Sequence, residues 1–326
     1  MQKSSSYLQF QNGPVSKKKK KRGNTFLRDV RKNIFSYLIA LPALIYVFIY
    51  SYCSYPYMII AFQEYSFRTN IFNSKWIGFK NFEFFFKSKY AYTVTFNTIY
   101  LNLLFIITGT LVSVLLALML NELRCRWFIK FAQSSMLFPN YISWVVVSYI
   151  LFSFLSTEYG LINKILIALG YERINWYLRA DLWRGILVFA RIWKSSGINA
   201  VIFLAAIAGI DDSQYEAAAI DGATRLQQTM HITIPLIMPT VLIMTLLAVG
   251  KVMYGDFGMI YAMIGDNGVL YRTTDIIDTY VFRALRQIGD PSQAMAIGLF
   301  QSVVGFIMVY GSNKITKRFF PEGALF

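Results

Sequence analysis

Apolar positions in this chain come in long unbroken runs rather than in alternation. Six runs stand out, over residues 34–55, 94–120, 132–155, 185–207, 237–254 and 294–311. Each is close to the roughly 20 residues that cross a bilayer as a helix. Backbone polar groups in lipid must be satisfied within the segment, so helices or a closed barrel are the choices. Unbroken runs select helices, since a barrel strand alternates. The expected class is an all-α integral membrane protein with six transmembrane helices. The expected division is a tail over 1–33, one transmembrane domain over 34–313 and a second tail over 314–326. The pattern shows no internal repeat and no soluble domain.

The longest polar interruption in the C-terminal half lies between the fourth and fifth runs, within residues 208–239. Its text from Ser213 is SQYEAAAIDGATRLQQTMHITIPLIMP. Ser213 with Glu216 three residues on predicts a capping box that opens a short helix. Ala217, Ala218 and Ala219 favour helix and leave room for a close partner. Gly222 supplies a left-handed residue that ends the helix without a Cβ clash. Thr224 with Gln227 repeats the box, and Pro235 should bend or stop the second helix. Glu216 has two readings, as a cap of its own helix or as a contact for a partner. His231, the one histidine, reads as a helix-surface residue.

Composition agrees: 56% of the 326 residues are apolar, with a mean hydropathy of +0.45. The net charge of +15 sits largely in Lys17–Arg22 and at Arg28, Arg31 and Lys32, just before the first run. Such a block reads as a solvated tail that favours anionic lipid, and gives no reason to invoke nucleic acid. The polar N-terminal region is too long for a signal peptide, so the first run is expected to be a retained anchor. Six spans put both termini on one side, and basic residues in the two tails and in the 121–131 loop assign that side to the cytoplasm. The acidic 208–239 loop, with Asp211, Asp212, Glu216 and Asp221, departs from that rule. Cys53 and Cys125 are not expected to pair.

No catalytic or metal constellation is legible. There is no phosphate-binding G-x-x-x-x-G-K-[ST] loop, no H-E-x-x-H and no G-x-S-x-G. A transport path should be marked by polar groups within spans. Arg191, Trp193, Lys194 and Asn199 interrupt the fourth run, and Lys251, Tyr254 and Asp256 interrupt the end of the fifth. At about 1.5 Å per residue, Lys194 and Lys251 each fall about 20 Å from the polar loop between them. Two readings remain open: the lysines line a cavity with the aromatics, or they snorkel outward beside an interfacial belt. Lys251 can also pair with Asp256 alone.

Several of these stretches resemble one family. Glu216-Ala217-Ala218, Asp221-Gly222-Ala223, Ile232, Pro235 and Pro239 are similar to the EAA loop of the membrane subunits of binding-protein-dependent ABC importers. Trp76–Phe82, Asn97-Thr98 and Asp256-Phe257-Gly258 with Tyr261 resemble elements of carbohydrate permeases, although Phe79 stands where leucine is usual. Thr273-Thr274-Asp275 with Asp278-Thr279-Tyr280 resembles a subgroup for oligosaccharides and polysaccharide fragments. The resemblance implies a type I importer transmembrane domain in the bacterial cytoplasmic membrane. It implies that Glu216, Ala217, Ala218, Asp221, Gly222 and Ala223 seat in a cytoplasmic ATPase. It also implies a second, usually non-identical permease subunit, two ATP-binding subunits carrying ATP and Mg²⁺, and an external solute-binding protein. This chain itself would then be a transport subunit with no cofactor and no enzymatic activity. The cargo implied is an oligosaccharide, and the basic outer surface would suit an acidic one. Another solute class, or a membrane enzyme or channel without an ATPase, are the rival readings.

Overall fold

The computed structural model describes residues 25–67 and 70–319. The basic block Lys17–Arg22 and the end of the C-terminal tail therefore lie outside the described residues. The chain divides after Pro56 into two compact units. In the first, α1 (Thr25–Lys32) is followed by α2 (Ile34–Val47) and a π-helical turn, Phe48–Tyr52. Asp29 accepts from Asn33 and from the Tyr37 hydroxyl across the α1–α2 junction, at 2.9 and 2.8 Å. No residue of α2 is buried. The helical stretch Ile34–Phe62 has a mean hydropathy of 2.0 and the length of a membrane span.

The second unit begins at Tyr57. A short antiparallel pair, β1 (Gln63–Glu64) and β2 (Lys75–Trp76), precedes α3 (Lys80–Lys87). Asn81 secures this entry by donating to the carbonyls of Ala61 and Gln63. Next comes α4 (Lys89–Glu122), opened by Ser88, whose hydroxyl accepts from the Tyr90 amide. The chain continues through α5 (Arg126–Tyr141), α6 (Trp144–Leu155), α7 (Leu161–Ala168) and α8 (Ala180–Ile207). The polar interruption forms α9 (Asp212–Ile220) and α10 (Arg225–Gln228). Then follow α11 (Ile234–Val249), α12 (Phe257–Ile264), α13 (Tyr271–Thr274), α14 (Ile277–Arg283) and α15 (Pro291–Phe319).

Helices α4 and α8 pack along their length and form the spine of this unit. Around them lie three apolar clusters. One joins Leu101 and Phe105 of α4, Trp183 and Leu187 of α8, and Met259 and Ile260 of α12. Another joins Phe85, Val94, Met253, Ile277 and Ile297. The third joins Ala117, Phe203 and Ile237 near the α9–α10 end. Burial of large side chains at these points contributes about 1.5–3 kcal/mol each where the alternative is water.

Two expectations about the spans are corrected. The single third span over 132–155 is two helices, α5 and α6, bent by 100° at Ile142–Ser143. Pro139 removes one ladder bond near the end of α5. Ile142 turns extended, and the Ser143 hydroxyl caps α6 by accepting from the Val146 amide. Among the described residues, five helices are long and apolar enough to cross a membrane, or six if this bent pair counts as one. The fifth span is also displaced. Pro235 neither bends nor stops its helix: Arg225–Val249 runs on as one helical stretch of 25 residues. A π-helical turn, Thr229–Thr233, directly precedes the proline, which sits in the first turn of α11. The stretch stops at Val249, so Lys251 and Tyr254 lie beyond its end.

Candidate functional site: an exposed helix pair and a polar cavity

The α9–α10 element is built from local chemistry. Asp211, not Ser213, caps α9: its carboxylate accepts from the Ser213 amide at 3.0 Å. That hydrogen bond holds the exposed Asp211 carboxyl below its ordinary range. A carboxylate at a helix N-terminus also meets the positive end of the helix dipole, which favours it over a hydroxyl. The expected Ser213–Glu216 capping box does not form. Glu216 is left exposed, with no hydrogen bond or ion pair among the described residues.

Gly222 ends α9 with φ +81°. The Ala223 amide donates to the Ala218 carbonyl at 2.9 Å and the Gly222 amide to that of Ala219 at 3.1 Å, a Schellman pair. The Thr224–Gln227 capping box forms as expected. The Tyr215 hydroxyl meets Thr233 Oγ1 at 2.9 Å, and the Gln228 amide donates to the Tyr215 carbonyl, so α9 is tied back to the base of α11. Ala217 and Asp221 are exposed, and Ala218 and Ala223 are half-buried. On this otherwise polar element Ile220, Leu226 and Met230 stand 87%, 72% and 56% exposed. His231 lies on the exposed helix surface, its Nδ1 at 3.0 Å from the Gln227 carbonyl.

A cavity of about 650 Å³ lies between α4, α8 and the segment from the end of α11 to Phe257. Its volume falls in the range of small-molecule sites. Five of the seven path residues line it: Arg191, Asn199, Lys251, Tyr254 and Asp256. Arg191 forms an ion pair with Asp256 and lies 6.0 Å from the Phe105 ring centroid. Asp256 is further committed to Trp144 Nε1 at 3.2 Å and to the Met259 amide at 3.0 Å. Asp256 therefore pairs with Arg191 and not with Lys251, which makes no ion pair among the described residues. Tyr254 donates to Ser302 Oγ at 3.0 Å.

Trp193 and Lys194 do not line this cavity. Trp193 is exposed on the outside of α8. Lys194 is 8% exposed. Its ammonium donates to the carbonyls of Pro139, Asn140 and Ile142 at 3.2, 2.9 and 2.5 Å, where α5 breaks from α6; the Pro139 carbonyl also accepts from the Ile142 amide. It also lies 5.1 Å from the Trp144 ring centroid. A lysine buried in a span is satisfied here by backbone oxygens. Equal depth on neighbouring spans did not mean a shared cavity.

The structure adds residues that single-run reading passes over. Asn102, Phe105, Ser195, Ser196 and Phe257 line the cavity. Asn102 is one of two asparagines in the second run, with Asn97. Its amide donates to the Val252 carbonyl at 3.0 Å, which fixes the chain just past Lys251. Above the cavity, buried Asn97 donates to the Arg272 and Asp275 carbonyls and accepts from Arg184. Thr98 accepts from the Ile277 amide at 2.9 Å. Asp275 gathers Arg283, Tyr90 and Thr279. The 255–292 segment is thereby folded down onto α4 and α8.

With this geometry in place, the comparisons are informative. A profile described as binding-protein-dependent transport system inner membrane component matches residues 109–319. The polygalacturonan/rhamnogalacturonan transport system permease protein YteP of Bacillus subtilis (strain 168) is 35% identical over 306 residues, 94% of each chain. A crystal structure of a bacterial ABC transporter involved in the import of the acidic polysaccharide alginate contains a chain with a TM-score of 0.82 and 30% identity, covering 90% of this chain and 98% of that one. A second crystal structure, of bacterial alginate ABC transporter in complex with alginate pentasaccharide-bound periplasmic protein, matches with the same figures. The matched region runs from inside α4 through α9 and α10 to the end of α15, and the chain belongs to the binding-protein-dependent transport system inner membrane component family, the permease subunits of ABC importers.

Proposed function

We propose that this subunit moves an oligosaccharide across the bacterial cytoplasmic membrane by alternating access, driven by ATP hydrolysed on separate subunits. The observation that carries the energy coupling is α9–α10: a rigidly capped helix pair that exposes Glu216 with Ile220, Leu226 and Met230. Apolar knobs on a polar, exposed turn suit a groove on a partner protein. ATP and Mg²⁺ would sit on two such ATPase partners. A second, non-identical permease subunit would complete the path, and an external binding protein would deliver cargo. Both termini and the α9–α10 element face the cytoplasm in this reading. The relatives carry polygalacturonan or rhamnogalacturonan and alginate. The cavity supports a similar cargo, because Phe105 and Phe257 line it beside Asn102, Asn199 and Tyr254. Sugar rings present apolar C–H faces and hydroxyls to such a lining.

Gly222→Asp tests the coupling. A side chain at φ +81° costs about 1–2 kcal/mol, and the added charge falls within the docking surface. Uptake should fall at least about tenfold, the ATPase should no longer co-purify, and the amount of protein in the membrane should hold. Unchanged uptake would count against the docking role.

A further inference from the structure

The cavity wall carries three charges among its lining residues, Arg191, Lys251 and Asp256. Two of them cancel. Arg191 is held by Asp256, and that carboxylate is filled by Trp144 Nε1 and the Met259 amide as well. Lys251 is the cation left over: exposed, facing the same cavity, and without an acidic partner among the described residues. It stands just past the end of α11, held in place by the Asn102–Val252 bond and by Tyr254 on Ser302. An unneutralised ammonium in a recess whose other charges are paired is a site for one anionic group. The aromatic and amide groups around it suit a sugar ring.

We propose that Lys251 is the specificity-determining residue for charge: it reads a carboxylate on the sugar, so the cargo is a uronate-containing oligosaccharide and not a neutral one. This rests on the oligosaccharide-import reading above and adds the charge class and the residue that selects it. Arg191, already paired, contributes position and not selection. A carboxylate accepting from the ammonium makes a charge-assisted hydrogen bond, which a neutral hydroxymethyl group replaces with a weaker one. Arginine in place of lysine keeps the charge.

The test measures uptake by the complete importer, with its ATPases and binding protein, in membrane vesicles. The probes are oligogalacturonates and oligomannuronates of about three to five units, and the same oligomers after carboxyl reduction to neutral sugars. Wild-type protein should carry at least one acidic series and disfavour its neutral counterpart. Lys251→Gln should lower acidic uptake at least about tenfold and narrow the acidic-to-neutral ratio. Lys251→Arg should recover most of the acidic uptake. Full acidic uptake by Lys251→Gln overturns the assignment. So does an equal loss of acidic and neutral uptake that arginine fails to restore. Wild-type uptake of neutral oligomers alone overturns the charge class while the oligosaccharide reading stands. Wild-type uptake of neither class overturns that reading itself.

Discussion

Gly197→Ala is expected to give a protein that no longer holds α5 against α8. A Cβ built at Gly197 would fall 2.0 Å from the Met136 carbonyl oxygen and 2.6 Å from its carbon. Both are backbone atoms of α5, so no side chain can swing aside. The helices must separate, and α5 is the arm that leads into the 100° break. Small residues at such crossings are what allow close backbone approach in membranes, where packing and not water drives association. Overpacking of this kind costs about 1–3 kcal/mol, and a backbone collision belongs at the top of that range. Thermal unfolding of the detergent-purified protein should show a loss of about 3 kcal/mol. A melting curve equal to wild type would mean that the two helices are not in contact at this point.

Lys194→Met should be nearly as costly, for a different reason. The ammonium satisfies the Asn140 and Ile142 carbonyls and shares that of Pro139 with the Ile142 amide. Methionine preserves most of the volume and removes every donor. Buried acceptors left without partners cost about 1–3 kcal/mol, and bonds to a charged donor lie toward the upper end. The expected result is a loss of about 3 kcal/mol in thermal stability, partly recovered by Lys194→Arg. The alternative role, a residue on the transport path, makes the opposite prediction. Uptake would then fall while the melting curve stayed put.

These two residues also show where sequence reading reached its limit. The coupling element was legible because its chemistry is local. A threonine and a glutamine three apart, and a glycine at the end of an alanine-rich turn, determine their own geometry. Even there, Asp211 outcompeted Ser213, since a carboxylate two residues upstream is the better helix cap. The spans were legible because lipid requires long apolar runs. The break in the third was not, because Pro139 alone does not decide whether a helix kinks or ends. What lets it end is Lys194, more than 50 positions away in the chain, which takes up the carbonyls of Asn140 and Ile142. The same distance hid the partner of Asp256. Lys251 is its neighbour in sequence, but Arg191 is its neighbour in the fold. Nothing in the local sequence marks Gly197, and only the approach of Met136 gives it a purpose.

The account rests on the α9–α10 element being exposed inside the cell and covered there by an ATPase. The direct measurement is labelling of Ala217→Cys with a membrane-impermeant maleimide, in a chain whose free and exposed Cys53 and Cys125 are replaced by serine. The account predicts no labelling in intact right-side-out vesicles. It predicts labelling in inside-out vesicles stripped of peripheral proteins, and protection when the ATPase is added back. Labelling from the outer face, or labelling from inside that no ATP-binding protein blocks, would contradict it.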